Sequence, residues 1–141
     1  MRWFRNYALY FAWVVALAGL LGSLYFGEMM NVEPCHLCWY QRIALFPLAL
    51  LLGIAAYKDD RNIIPYAMPL VIFGGLFAFY HALAQQFPSL HSSHVCGPNA
   101  PCTSPGFSFL GFLTLPLLSG IGFVLIGSFL LLARPSAHRQ R

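Results

Sequence analysis

Four long apolar stretches restrict the fold of this chain more than any motif does. The first of them, about residues 7–27, contains no charged side chain. A helix needs about 20 mostly apolar residues to cross a bilayer, and a chain of 141 residues that is 59% hydrophobic and 9% charged leaves no sizeable soluble domain. We therefore predict an all-α integral membrane protein, a single-domain bundle of four transmembrane helices. The predicted spans are approximately residues 7–27, 38–57, 63–83 and 109–133.

The ends of the first two spans need separate arguments. The first span is longer than the roughly 7 to 15 residues of a signal-peptide core, and no small-residue cleavage site follows it, so we expect it to be retained. In the second span the uncharged stretch covers only residues 43–57, which is short for a crossing. We expect that helix to begin near Cys35 or Cys38, which places Arg42 inside it.

The charged residues predict the orientation. Of the eight basic residues, all but Arg42 lie near the two ends of the chain or in the short loop between the second and third spans. An even number of spans puts these segments on one side, which the positive-inside rule makes cytoplasmic, together with both termini. The loops of about residues 28–37 and 84–108 then face outward, which puts all four cysteines on the outer side. Because the basic residues flank spans and form no patch with interleaved aromatics, no nucleic-acid partner is expected.

The four cysteines form two close pairs on that outer side. Cys35 and Cys38 make a C-x-x-C motif, and Cys96 and Cys102 enclose five residues. The pairs can be structural disulfides, metal ligands or disulfides that exchange with one another in an oxidising compartment. The spacing favours exchange, because a C-x-x-C bridge closes too small a ring to add much stability. The second pair lacks the tight knuckle of zinc ribbons, and we predict no metal.

The residues around the first pair favour a reactive thiolate. Pro34 precedes Cys35, and proline is common at helix starts, so Cys35 is expected at an N-terminus whose free N–H groups favour negative charge. Arg42 lies four residues after Cys38, on the same helical face as both cysteines, and is the expected electrostatic partner. An arginine in an apolar helix is costly and therefore a functional candidate, although snorkelling to the headgroups also explains it.

The second pair lies in a segment without charges. Residues 84–108 contain no Asp, Glu, Lys or Arg and are rich in Ser, Pro, Gly and His, which is typical of a surface loop. Turn-forming residues between Cys96 and Cys102 would let their sulfurs approach within bridging distance. A loop disulfide can then reach both a soluble partner and the first pair. His91 and His94 are expected to be ordinary polar loop residues.

Three segments of the chain resemble one known family. Residues 34–42 (PCHLCWYQR) resemble the first redox segment of the DsbB/BdbC disulfide bond formation proteins, which pair a C-x-x-C motif with an arginine four residues later. Residues 80–85 (YHALAQ) resemble the end of the family's third helix, with its H-x3-Q motif. Phe109-Leu110-Gly111 and Pro116 resemble the start of its fourth helix. The short spacing of the second cysteine pair is similar to the BdbC-like branch.

The resemblance implies a path for electrons through both pairs. It implies that a DsbA-like, thioredoxin-fold thiol oxidase is reoxidised by the Cys96/Cys102 disulfide and that Cys35/Cys38 then reoxidises the loop pair. The electrons pass on to a membrane quinone, either ubiquinone or menaquinone. The implied location is the bacterial inner (cytoplasmic) membrane, as a multi-pass protein whose redox cysteines face the periplasm or the exterior.

The resemblance also implies individual roles. Cys38 is the sulfur in contact with the quinone, Cys35 exchanges with the loop, and Arg42 supports quinone binding. His81 and Gln85 are further residues of the implied quinone site. On the residues alone, two other functions stay open: a small metal-binding membrane protein, and a structural membrane subunit with inert disulfides.

Overall fold

The computed structural model describes residues 2–29, 35–87, 89, 108–109 and 113–134. Within these residues it contains four long helices: α1 (Arg2–Leu24), α2 (His36–Lys58), α3 (Ile64–Gln86) and α4 (Leu115–Ala133). The shorter elements are a π-helical turn after α1 (Tyr25–Met29), a 3-10 turn before α3 (Arg61–Ile63), and two strands before α4, β1 (Ser108–Phe109) and β2 (Leu113–Thr114). The two strands pair antiparallel.

All four helices are long and apolar enough to cross a membrane. This confirms the predicted all-α fold with four helices able to span a bilayer. Large apolar side chains such as Leu50 and Phe79 point away from the bundle, 71% and 63% exposed. Such an outer surface suits lipid and would be a liability in water. The single-domain division stays a prediction.

Two helix starts are informative. α2 begins at His36, directly after Cys35, so Arg42 does lie inside the helix. The predicted start of the fourth helix at about residue 109 is wrong, because Phe109 belongs to β1 and α4 begins at Leu115. Proline suits the first turn of a helix, where its missing N–H is not needed, and Pro116 occupies that turn of α4. Hydropathy alone extended the span through residues that pair as strands.

The helices pack in a ring, α1 against α2, α2 against α3, α3 against α4 and α4 back against α1. Many core side chains are small, which lets helices in a membrane approach closely. The buried alanines of this core are Ala8, Ala12, Ala16, Ala44, Ala49, Ala55, Ala67, Ala78 and Ala133. α1 and α3 finish, and α2 and α4 start, at one end of the ring. We call it the cysteine end because Cys35 and Cys38 lie there.

The contact between α3 and α4 depends on Gly74. A Cβ at Gly74 would overlap the buried ring of Phe123, whereas one at Gly75 would lie 3.7 Å from Phe123 Cβ, an ordinary contact. Gly74→Ala is expected to destabilise the protein by about 1–3 kcal/mol through overpacking. The measurement is thermal unfolding of the detergent-solubilised chain. Gly75→Ala is the matched control and should keep the wild-type melting temperature, so equal melting of both variants would contradict this packing.

Candidate redox-active site

Cys35 and Cys38 form a dithiol at the start of α2. Cys35 is the residue just before the helix, in extended backbone (φ −67°, ψ 166°), and its carbonyl accepts the first helical hydrogen bond, from Trp39 N at 3.2 Å. Cys38 lies in the first turn. The two Sγ atoms are 3.3 Å apart, and both residues are free thiols. The expected position of Cys35 at a helix N-terminus is therefore confirmed.

His81 of α3 is the residue that contacts both sulfurs. Its Nε2 lies 3.7 Å from Cys35 Sγ, and its Nδ1 lies 4.0 Å from Cys38 Sγ. The imidazole is 3% exposed and also meets Gln41, whose Nε2 is 3.4 Å from His81 Nδ1. His36, between the cysteines in sequence, is exposed. The histidine that acts on the dithiol therefore comes from another helix.

The surroundings of Cys35 favour its thiolate. Its pKa is lowered to about 4, chiefly by the hydrogen bond with Cys38 and further by the hydrogen bond and electrostatic effect of His81, while burial opposes the shift. The thiolate is the form that attacks a disulfide. Cys35 therefore favours the reactive thiolate form, and it lies just before the regular helix.

Arg42 points toward the end of α1. Its Nε donates to Ser23 Oγ at 2.7 Å, and a terminal nitrogen donates to the Ser23 carbonyl at 2.6 Å. The guanidinium also lies 5.8 Å from the ring centroid of Trp39. Gly27 leaves it room, because a Cβ there would come within 2.5 Å of the guanidinium. The structure thus pairs Arg42 with Ser23, while the groups that lower the Cys35 pKa are Cys38 and His81.

Gln41 and Ser119 are two further polar residues of the site. Gln41 and His81 are the buried polar side chains within the described part of the chain, and Ser119 of α4 donates to Gln41 Oε1 at 2.6 Å. Burying polar groups is costly unless they bond to one another. The sequence argument assigned no role to Gln41, Ser119 or Ser23. The missed signal was their polarity inside apolar spans, which often marks function.

A cavity of about 240 Å³ lies between α1, α2 and α4. Most of its lining is apolar, and Cys38, Gln41, Arg42 and Ser119 supply polar atoms. Among the described residues, Cys38 lines this cavity and Cys35 does not. The two sulfurs of the dithiol therefore have different surroundings.

The other residues predicted for the site keep their roles as predictions. His81 and Gln85 are not among the described residues that line the cavity, so their assignment to a quinone site stays a prediction. Gln85 is half-buried, one turn after His81 in α3. Cys96 and Cys102 lie outside the described residues, as do the loop histidines His91 and His94.

The dithiol and His81 also make a possible ligand set. The ligand atoms of Cys35, Cys38 and His81 all lie within 4.8 Å of one another. Structural zinc sites use four protein ligands, and no fourth His, Cys, Asp or Glu joins this group among the residues that the structure covers. The absence of a functional metal stays a prediction.

Comparison with known proteins shows the family of this chain. The family model described as disulfide bond formation protein DsbB matches residues 5–133. The chain is similar to a probable disulfide formation protein of Coxiella burnetii (strain CbuK_Q154), 44% identical over 140 residues that cover 99% of this chain and 95% of the relative. It is also similar to disulfide bond formation protein C of Bacillus subtilis (strain 168), 42% identical over 126 residues, with 89% and 91% covered. No solved structure matches with significance. The chain belongs to the DsbB family of disulfide bond formation proteins.

Proposed function

We propose that this chain reoxidises a DsbA-like, thioredoxin-fold thiol oxidase and passes the electrons to a membrane quinone. Its family and its four span-capable helices make it a multi-pass membrane oxidoreductase of disulfide bond formation. The proposal adds the electron donor, the electron acceptor and the route between them. The observation that carries it is the asymmetry of the dithiol, in which Cys38 lines an apolar cavity with Arg42 while Cys35 does not.

The proposed route has two exchange reactions. In the first, the dithiol of the partner is oxidised to a disulfide as the Cys96–Cys102 disulfide is reduced. In the second, Cys96 and Cys102 are reoxidised as the Cys35–Cys38 disulfide is reduced. Each exchange breaks one S–S bond and forms another through a mixed disulfide. Cys35 is the proposed exchanging sulfur: one loop thiolate attacks it while Cys38 leaves, and the other loop thiolate then displaces Cys35, whose low pKa makes it a good leaving group.

The residues around the cavity fit a quinone. An apolar lining with a few polar groups at one end is typical of sites for apolar ligands with a polar head. Arg42 donates through only part of its guanidinium to Ser23, and its other N–H groups are suited to a carbonyl oxygen. A bound quinone would supply the oxidising power by accepting two electrons and two protons from the dithiol. Cys38 is proposed as the sulfur facing it.

The proposed orientation places the cysteine end outside the cytoplasm. Lys58 ends α2 and Arg61 begins the 3-10 turn before α3, at the end of the bundle opposite Cys35 and Cys38. Basic residues next to spans favour the cytoplasmic side. We therefore place both termini in the cytoplasm and the protein, as one membrane domain, in the bacterial inner membrane. The redox cysteines then face the periplasm or the exterior.

The test uses the purified full-length chain in detergent. Reduced DsbA-like partner is added in excess, with ubiquinone, with menaquinone or with neither, and the loss of partner thiols is followed with quinone absorbance. We expect continuous oxidation with at least one quinone, and without quinone at most two partner equivalents per chain, one for each disulfide. Failure of both quinones would overturn the proposal. A chelator arm tests the metal-binding alternative, which predicts thiols that become reactive to alkylation only after chelation.

A further inference from the structure

The proposed function gives no role to a row of polar side chains that contact one another inside the bundle. It runs from Ser119 on α4 through Gln41 on α2 to His81 on α3 and ends at the Cys35 sulfur. The successive distances are 2.6 Å from Ser119 Oγ to Gln41 Oε1, 3.4 Å from Gln41 Nε2 to His81 Nδ1, and 3.7 Å from His81 Nε2 to Cys35 Sγ. Ser119 and Gln41 link α4 to α2, which are not neighbours in the ring.

The orientation of the Gln41 amide in the structure gives the donors and acceptors of this row one direction. Ser119 donates to Gln41 Oε1, so the NH₂ group of Gln41 is the part that faces His81 Nδ1. An amide NH₂ only donates, and it therefore requires an unprotonated Nδ1. A neutral imidazole with a bare Nδ1 carries its hydrogen on Nε2. That hydrogen points to Cys35 Sγ, which accepts it best as a thiolate.

We propose that Ser119 and Gln41 are positioning residues that fix the tautomer of His81, so that His81 Nε2 donates its hydrogen to the Cys35 sulfur. Neither residue hydrogen-bonds to that sulfur. Their effect passes through the imidazole, in the manner of an outer partner that orients a catalytic histidine. The inference rests on the proposed function only in taking Cys35 as a reacting sulfur. It holds whichever acceptor receives the electrons.

Other groups around the dithiol do not replace this effect. Cys38 and His81 act directly on Cys35, from α2 and α3. Arg42 is bonded to Ser23 of α1. Tyr80 of α3 packs against the pair. On α4, Ser119 reaches the site through Gln41. The two serines of α4 offer a matched comparison, because Ser128 is exposed and donates only to the Val124 carbonyl of its own helix at 2.8 Å.

The first measurement reads the tautomer directly. The full-length chain carrying Cys96→Ala and Cys102→Ala is reduced and labelled with ¹⁵N-histidine, and His81 is assigned from the signals lost in His81→Gln. We expect the ¹⁵N shifts of a protonated Nε2 and a bare Nδ1 in the parent. Ser119→Ala should raise the fraction of the opposite tautomer, because Gln41 is then free to turn its amide. Ser119→Thr, which keeps the hydroxyl, should restore the parent spectrum, and Ser128→Ala should not change it.

The second measurement follows the Cys35 thiolate in the same proteins. Without a stable Nε2–H donor the thiolate is less favoured, so the midpoint of the pH profile of Cys35 alkylation should move upward in Ser119→Ala. A hydrogen bond of ordinary strength corresponds to at most about a tenfold loss of thiolate below that midpoint. Mass spectrometry of the labelled peptide separates Cys35 from Cys38.

Both measurements test the proposal in samples that contain neither quinone nor partner protein. A protonated Nδ1 in the parent protein would overturn the proposal, and so would a Ser119→Ala protein that matches Ser128→Ala in both measurements. The parent spectrum gives this answer even if Ser119→Ala does not fold. Because no electron acceptor is present, a failure of the proposed quinone chemistry leaves these results unaffected, and the two failures are distinguishable.

Discussion

Replacing Cys38 by serine is expected to abolish quinone-dependent oxidation of the partner, with a loss of at least about a hundredfold. Cys38 is the sulfur that lines the cavity with Arg42, and it is also the sulfur that hydrogen-bonds to Cys35. Without it, no disulfide can form within the C-x-x-C pair, and this pair keeps no second sulfur to resolve a mixed disulfide of Cys35. The measurement is quinone reduction by the full-length variant in detergent, with reduced partner in excess.

The controls for this prediction separate chemistry from folding. Serine is close to cysteine in size and still hydrogen-bonds, so the variant should melt within a few degrees of the parent. Cys35→Ser is the companion variant, and it too should lose turnover because it removes the other half of the dithiol. In Cys38→Ser, Cys35 remains able to form a mixed disulfide with the loop pair, which nonreducing digestion and mass spectrometry can identify. Turnover above a tenth of the parent rate would contradict the assigned role of Cys38.

Arg42→Met is expected to raise the KM for quinone by about ten- to a hundredfold, the effect of losing one charged hydrogen bond. Methionine keeps most of the length of the side chain and removes the guanidinium, together with its two bonds to Ser23. If Arg42 served only to hold α1 against α2, the main effect would be on stability. An arginine inside an apolar helix is costly to bury, so its removal should leave the melting temperature unchanged or higher.

Two further variants sharpen the Arg42 prediction. Arg42→Lys keeps the charge but loses the planar fork that serves Ser23 and a ligand together, and an intermediate KM is expected. Ser23→Ala removes the hydroxyl acceptor and leaves the Ser23 carbonyl, so its effect should be the smallest of the three. A KM that stays at the parent value in Arg42→Met, with lower thermal stability, would show a structural role and contradict quinone binding by this residue.

Some of this site could be predicted from the sequence because the relevant signals are local. Pro34 and the short uncharged stretch after Arg42 favour a helix start near Cys35 or Cys38, and α2 begins at His36. The four spans follow from hydropathy, since a bilayer requires long apolar helices. The start of α4 was missed because the residues before Leu115 are as apolar as those after it. Only the proline in the first turn marks the boundary.

The contacts between helices could not be predicted in the same way. Helical periodicity places Arg42 on the same helix face as the two cysteines. It does not predict that Ser23 offers Arg42 two acceptors or that Gly27 leaves it room. Both depend on the register of α1 against α2. The meeting of His81 with Gln41 depends likewise on how α3 packs on α2. One sequence contains no signal for such registers, whereas the presence of polar residues in apolar spans was visible.

The position of Cys35 outside α2 separates the redox cycle from the stability of the bundle. Its carbonyl is bound by Trp39 N, but its own N–H precedes the helical hydrogen-bond ladder. Moving its sulfur between Cys38 and another partner requires rotation about the Cα–Cβ bond and breaks no helical hydrogen bond. The oxidised and reduced forms can therefore share one helical scaffold. A site of this kind can turn over many times without any helix having to unwind and re-form.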